Sequence, residues 1–314
     1  MRPVIIAHRG ASGHLPEHTV QAKALAFAMG ADYLEQDIVV TRDDRLIVLH
    51  DIHLDRTSNV AEVFPERARP DGRYYARDFD LEEVLSLTVH ERVDAEGRQV
   101  FPGRQAFTGA EFRIHTLEHE LALVRTLNAS SGREVGIYPE IKAPAWHREE
   151  GVDITRLVLD TLEQADYTDS NDSIYLQCFD DAELRRVRHE LGSRLKLVQL
   201  IGEDDWGEGP TNFAPLKTVE GIRELSRTVD AIGPWVNQLY SSGRDDAIRA
   251  THIAGTAHEC GLAVHPYTFR RDSLPSGFET FDEMLRYFVL EVPVDGLFTD
   301  FPGEAFAILR RIFA

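Results

Sequence analysis

One pattern repeats along the chain: a short apolar, β-branched run, then a stretch whose apolar residues recur at helical spacing. Val4–Ala7, Tyr33–Val40, Val135–Lys142, Ser173–Phe179, Leu195–Ile201, Asp230–Gly233, Leu262–Tyr267 and Gly296–Phe298 read as eight strands. Most lead into a helix. The first spans Glu17–Met29 with Val20, Ala24, Phe27 and Ala28 on one face, and a later one spans Thr116–Leu127. Another aligns Ile154, Val158 and Leu162, one starts at Asp180, and one covers Val219–Arg227. A helix from Asp246 turns Ala250, Ile253, Ala254 and Ala257 inward, and the last two cover Thr280–Leu290 and the C-terminus. Parallel strands need a crossover, and helices supply it. Eight such units fit an α/β chain folded as a (β/α)8 TIM barrel, and no Gly-x-Gly-x-x-Gly follows a strand to suggest a dinucleotide fold. The 314 residues are read as a single barrel domain.

Two stretches depart from the pattern. Leu46–Asp51 follows the second strand after only a few residues, which predicts a hairpin rather than a parallel neighbour. From about 52 to 115 the periodicity breaks down into charge, Gly and Pro, with one helical piece near Leu81–Leu87. A segment this long is too large for an ordinary loop, so a small insertion subdomain over the mouth of the site is expected.

Polar residues gather where a barrel keeps its chemistry, at the C-terminal ends of the strands. Glu35 and Asp37 sit two apart on the second strand, so they share a face and repel each other unless a cation or a proton intervenes. Glu140 ends the third strand and would complete an oxygen-only set for one divalent cation, Ca²⁺, Mg²⁺ or Mn²⁺ rather than zinc or copper. The bland alternative is that one of the three is a salt-bridge partner of Arg9 or Lys142. Those two cations, beside a metal, suit a phosphate's oxygens. His8 and His50, at the ends of separate strands, suit an acid and a base because imidazole titrates nearest neutral pH. Glu17 either faces this site or starts the helix, and Phe179 fits the core or a substrate wall. His265 and Trp206 are equally open, the first between core and site, the second between lid and loop packing.

The net charge of −19 argues against a nucleic-acid or anionic-membrane partner. No run reaches the roughly 18 apolar residues of an integral membrane segment. The four-residue apolar run near the start is too short for a signal-peptide core. The chain as written is therefore expected to be soluble and cytoplasmic, or periplasmic if a signal has been removed. Cys178 and Cys260 are expected to be core thiols rather than a disulfide framework.

Taken together, these residues resemble the glycerophosphodiester phosphodiesterase family. Its motifs stand here as His8-Arg9-Gly10, Pro16-Glu17-His18-Thr19, Glu35-Gln36-Asp37, His50-Asp51, Glu140-Ile141-Lys142, Gln177-Cys178-Phe179-Asp180 and Thr299-Asp300-Phe301-Pro302. Asp55-Arg56, Gly72-Arg73-Tyr74-Tyr75 and Val264-His265-Pro266-Tyr267-Thr268 look most like the larger bacterial periplasmic type. Exported proteins of that type carry a signal, which this chain does not show. His18 stands where many members have Asn, though the larger type is similar here.

The resemblance implies a hydrolase dependent on one divalent cation, Ca²⁺ first and Mg²⁺ second, held by Glu35, Asp37 and Glu140. It further implies His8 and His50 as acid and base, and Arg9 and Lys142 on the phosphate. Glu17 and Phe179 complete the candidate substrate-contacting set. The implied substrates are small glycerophosphodiesters such as glycerophosphocholine and glycerophosphoethanolamine, cleaved to glycerol 3-phosphate and an alcohol. A related barrel acting on intact phospholipid headgroups would want an apolar rim, and a non-catalytic surface protein of this fold would have no use for the set. The oligomeric state is left open.

Overall fold

The computed structural model describes residues 2–107, 111–242 and 248–314. Eight parallel strands form the barrel wall. They are β1 (Val4–Ala7), β2 (Tyr33–Val40), β4 (Gly136–Ile141), β5 (Tyr175–Cys178), β6 (Lys196–Ile201), β7 (Ala231–Pro234), β10 (Ala263–Val264) and β11 (Gly296–Thr299). Spatial order follows chain order, with β11 returning beside β1. The remaining seam is closed by backbone bonds: Asp295 N–H donates to Val264 O at 3.0 Å and Phe298 N–H to Pro266 O at 3.1 Å. The expected hairpin is present, with β3 (Leu46–Val48) antiparallel to β2.

The inner and outer surfaces of the wall are packed differently. Inside, Ile6, Tyr138, Val198, Ala231 and Phe298 fill the barrel. His265 belongs to this filling: it is buried, and its Nδ1 lies 2.8 Å from the Tyr138 hydroxyl. Outside, the strands' other faces meet the helices in the main apolar core. Residues 52–115, of which 108–110 lie outside the described set, pack around a core of their own. There Phe79, Leu54, Val60, Val84 and Leu87 meet Val39 and Ile47 of the hairpin.

Some helices differ from the sequence reading. The first, α1 (Val20–Ala28), starts three residues later than expected, because Thr19 caps it and His18 sits at φ 54°, outside helical geometry. Its inward face carries Ala22, Lys23, Ala26 and Phe27 rather than the set built on Val20, Ala24 and Ala28. Lys23 hid that face, since a lysine reads as outward. Here its ammonium is buried against Glu120 at 2.7 Å and also donates to the Glu35 carbonyl.

Asp246, the expected start of a later helix, lies outside the described residues. Past it, Ile248–Ala250 forms a strand, β9, paired antiparallel with β8 (Tyr240–Ser242). Ala250 is therefore exposed, and the helix (His252–Glu259) begins only after Thr251. The helix near 116–127 runs longer, Leu117–Ser131, to a left-handed Gly132. Cys178 is buried and Cys260 half-buried, both as free thiols. Among the described residues, no helix is long and apolar enough to cross a membrane.

Candidate active site

Strand geometry assembles the carboxylates. Glu35 and Asp37 point into the barrel from one face of β2, and β4 places Glu140 in register with Asp37. An oxygen from each lies within 4.8 Å of the others. All three residues are buried. Burial, and then the Asp37 charge, push the Glu35 carboxyl up to about 8. Burial likewise raises Glu140 well above the ordinary range, against the pull of Lys142. For Asp37 burial also acts upward, but His18 and the neighbouring cations outweigh it and hold the group well below its usual range.

Asp37 Oδ1 is buried without a hydrogen-bond partner, as is Gln177 Oε1, on the same amide whose Nε2 donates to Glu35 Oε1 at 3.0 Å. Buried acceptors left unpaired cost about 1–3 kcal/mol each. An oxygen-only cluster with a spare buried acceptor fits a hard divalent cation.

A tight turn sets the next residue. Arg9 and Gly10 both adopt positive φ, 58° and 89°. A Cβ on Gly10 would meet the Ala22 backbone at 2.8 Å, so the turn needs glycine. It aims the Arg9 backbone N–H at Glu35 Oε2, 2.7 Å away. The Arg9 guanidinium then lies 3.6 Å from Asp37 Oδ2 and 3.0 Å from Glu17. Glu17 also accepts from Arg92 of the insertion at 2.7 and 2.9 Å. Lys142 stands 2.8 Å from Glu140.

Each histidine has its own carboxylate. His8 Nδ1 lies 2.6 Å from Asp300, and His50 Nδ1 2.5 Å from Asp51. With Nδ1–H donating to the carboxylate, Nε2 is left for chemistry in both. Burial, then Arg9, lower the His8 imidazole to about 3, overriding Asp300. Burial, Arg9 and Lys142 also lower His50.

His8, Arg9, Glu35, Asp37, His50, Glu140 and Phe179 all line one cavity of about 270 Å³. Glu17 stands behind Arg9 rather than on that wall, and Lys142 lines the adjoining cavity. Trp206 is at the rim, edge-on to Trp235 with ring centres 5.1 Å apart. The sequence reading missed Arg92, missed Arg104 and Arg270, which lie 2.5 and 2.7 Å from Asp300, and missed Glu208, 3.6 Å from Lys142. The two insertion arginines lie in a stretch with no periodicity to mark them.

The sequence pattern of the glycerophosphoryl diester phosphodiesterase family matches residues 8–304. The chain is 41% identical over 328 aligned residues to a glycerophosphodiester phosphodiesterase from Haemophilus influenzae, covering 98% of this chain and 90% of that protein. Its fold is similar to a solved structure from Silicibacter pomeroyi DSS-3, with TM-score 0.71, 22% identity and coverage of 99% and 94%. It is also similar to an Oleispira antarctica phosphodiesterase solved with the product sn-glycerol-3-phosphate, with TM-score 0.64, 16% identity and coverage of 98% and 97%.

Proposed function

The chain belongs to the glycerophosphoryl diester phosphodiesterase family, and from that premise we propose how it hydrolyses glycerophosphodiesters to sn-glycerol 3-phosphate and an alcohol. Glu35, Asp37 and Glu140 would hold one divalent cation, Ca²⁺ first and Mg²⁺ second, which would supply positive charge to polarise a phosphate oxygen. Arg9 and Lys142 bind the phosphate's remaining charge. Glu17, committed to Arg9 and Arg92, fixes the Arg9 guanidinium in place. Phe179 closes the cavity wall and excludes water.

His8 is the base. Its lowered pKa keeps it neutral, and its Nε2 takes the proton of the attacking oxygen as that oxygen bonds to phosphorus: water gives sn-glycerol 3-phosphate directly, and the glycerol 2-hydroxyl gives a cyclic phosphate that water then opens. His50 is the acid. Arg9 and Lys142 hold its proton affinity down, and a bound phosphate anion offsets both, so the imidazole charges when substrate arrives. As the phosphorus–oxygen bond to the alcohol breaks, His50 Nε2 protonates the departing alkoxide.

One arrangement supports this reading above the rest: three buried carboxylates in mutual reach, flanked by two carboxylate-held histidines, on one cavity. The test is release of sn-glycerol 3-phosphate from glycerophosphocholine and glycerophosphoethanolamine with Ca²⁺ or Mg²⁺ present. Absence of that product with either metal would overturn it.

A further inference from the structure

A phosphodiester has two arms, and two cavities meet at the catalytic rim. The smaller one described above enters the barrel. The other, about 550 Å³, opens toward the insertion, and the two share His50, Trp206 and Glu208. Since His50 stands on both, an alkoxide leaving past it has the larger cavity before it.

The wall of that cavity differs in charge from the rest of the molecule. On a chain of net charge −19, it presents Arg56, Arg73, Arg92 and Lys142 against only Asp51 and Glu208. Three of those cations are already engaged: Arg73 by Asp55 at 2.8 Å, Arg92 by Glu17 and Asp51, and Lys142 by Glu140 and by the phosphate assigned to it above. Arg56 is not. Its guanidinium has no carboxylate partner among the described residues, only a long 3.4 Å bond to the Val93 carbonyl. A half-buried guanidinium with spare donors is built to receive an oxyanion, because its planar fork matches a carboxylate or phosphate. Trp146 and Trp206 offer aromatic faces that would by themselves admit a cation, but the unpaired Arg56 opposes one.

We propose that the larger cavity is the leaving-alcohol subsite and that Arg56 selects glycerophosphodiesters whose alcohol carries its own anionic group. The inference rests on the phosphodiesterase reading and adds the substrate class. Glycerophosphoserine and glycerophosphoethanolamine make the sharpest probe, since their alcohols differ by one carboxylate.

The wild-type enzyme should show a kcat/KM for the serine diester about tenfold above that for the ethanolamine diester, the size of one charge-assisted bond partly open to water. Added salt should shrink the ratio. R56Q should bring the ratio near one and R56K should restore part of it, with the change in KM rather than kcat. An equal or inverted ratio in the wild type overturns the inference while leaving the phosphodiesterase reading intact, and needs no variant to fold. A ratio unmoved by R56Q in a variant with wild-type melting behaviour also overturns it. Failure to cleave either diester overturns the parent reading, and the subsite with it.

Discussion

His8 leaves the end of β1 and bonds to Asp300, beyond β11 on the barrel's own wall, whereas His50 leaves the hairpin and bonds to Asp51, the next residue. In both cases an insertion arginine holds the carboxylate: Arg104 on Asp300 at 2.5 Å and Arg92 on Asp51 at 2.7 Å. The two regions differ in redundancy. Asp300 is buried and has a second cation, Arg270, at 2.7 Å. Asp51 is about one-fifth exposed and, among the described residues, has one arginine, which it shares with Glu17, and through Glu17 with Arg9. The barrel side is thus fixed twice over, while on the insertion side one residue holds the carboxylates behind both His50 and Arg9.

The largest expected effect removes what both regions surround. Chelation, or D37N, should abolish turnover, and calorimetry should show cation binding lost in the variant. The pH dependence follows from Glu35, whose carboxyl is raised to about 8. Below that pH a cation must displace a proton from Glu35, and Glu140, raised as well, adds to the demand, so apparent affinity should rise at least about tenfold per pH unit between pH 6 and 8. Affinity independent of pH between 6 and 8 would remove Glu35 from the ligand set.

Next come the histidines. H8A and H50A should each lower kcat by at least about 10²-fold. The comparison predicts that they differ in one respect: a substrate with a readily departing phenol should recover much of the H50A loss and little of the H8A loss. Equal recovery would undo the assignment of base and acid.

How far these regions were legible in the sequence follows the same division. Period-two alternation put Glu35 and Asp37 on one face, and strand–helix alternation placed Glu140 near them in a barrel, because both signals are local. The hairpin needed only the short span between Val40 and Leu46. The inward Lys23 and the strand at Ile248–Ala250 were misread because a distant partner decides each: Glu120 neutralises the lysine, and Tyr240–Ser242 pairs the strand. Arg92 and Arg104 act across 41 and 196 residues of chain, a separation no spacing rule reaches.

The single-arginine clamp can be tested directly against the doubled one. R92Q frees Asp51 and Glu17 at once, so His50 and Arg9 should both lose position. Misplacement on the scale of an ångström costs up to about 10²-fold, so a ten- to hundredfold loss in kcat is expected. R104Q leaves Arg270 on Asp300 and should cost several-fold at most. The readout that separates positioning from general damage is leaving-group dependence, which should steepen for R92Q and stay flat for R104Q. Larger damage from R104Q would reverse the ranking of the two regions.

The smallest effect belongs to Arg98, which lies only six residues beyond Arg92 in the same insertion. Its side chain is 72% exposed and pairs with Asp94 and Glu96, whereas that of Arg92 is 13% exposed. Exposed pairs contribute about 0–1 kcal/mol and are screened by salt. R98Q should therefore leave kcat and KM unchanged and shift the melting temperature by no more than a few degrees. The variant separates two ways in which the insertion could serve the site. If it acted through the long-range field of its arginines, R98Q and R92Q would weaken activity alike, and salt would mimic both. If it acts through the buried contacts to Asp51 and Glu17, only R92Q matters, and salt does not reproduce it.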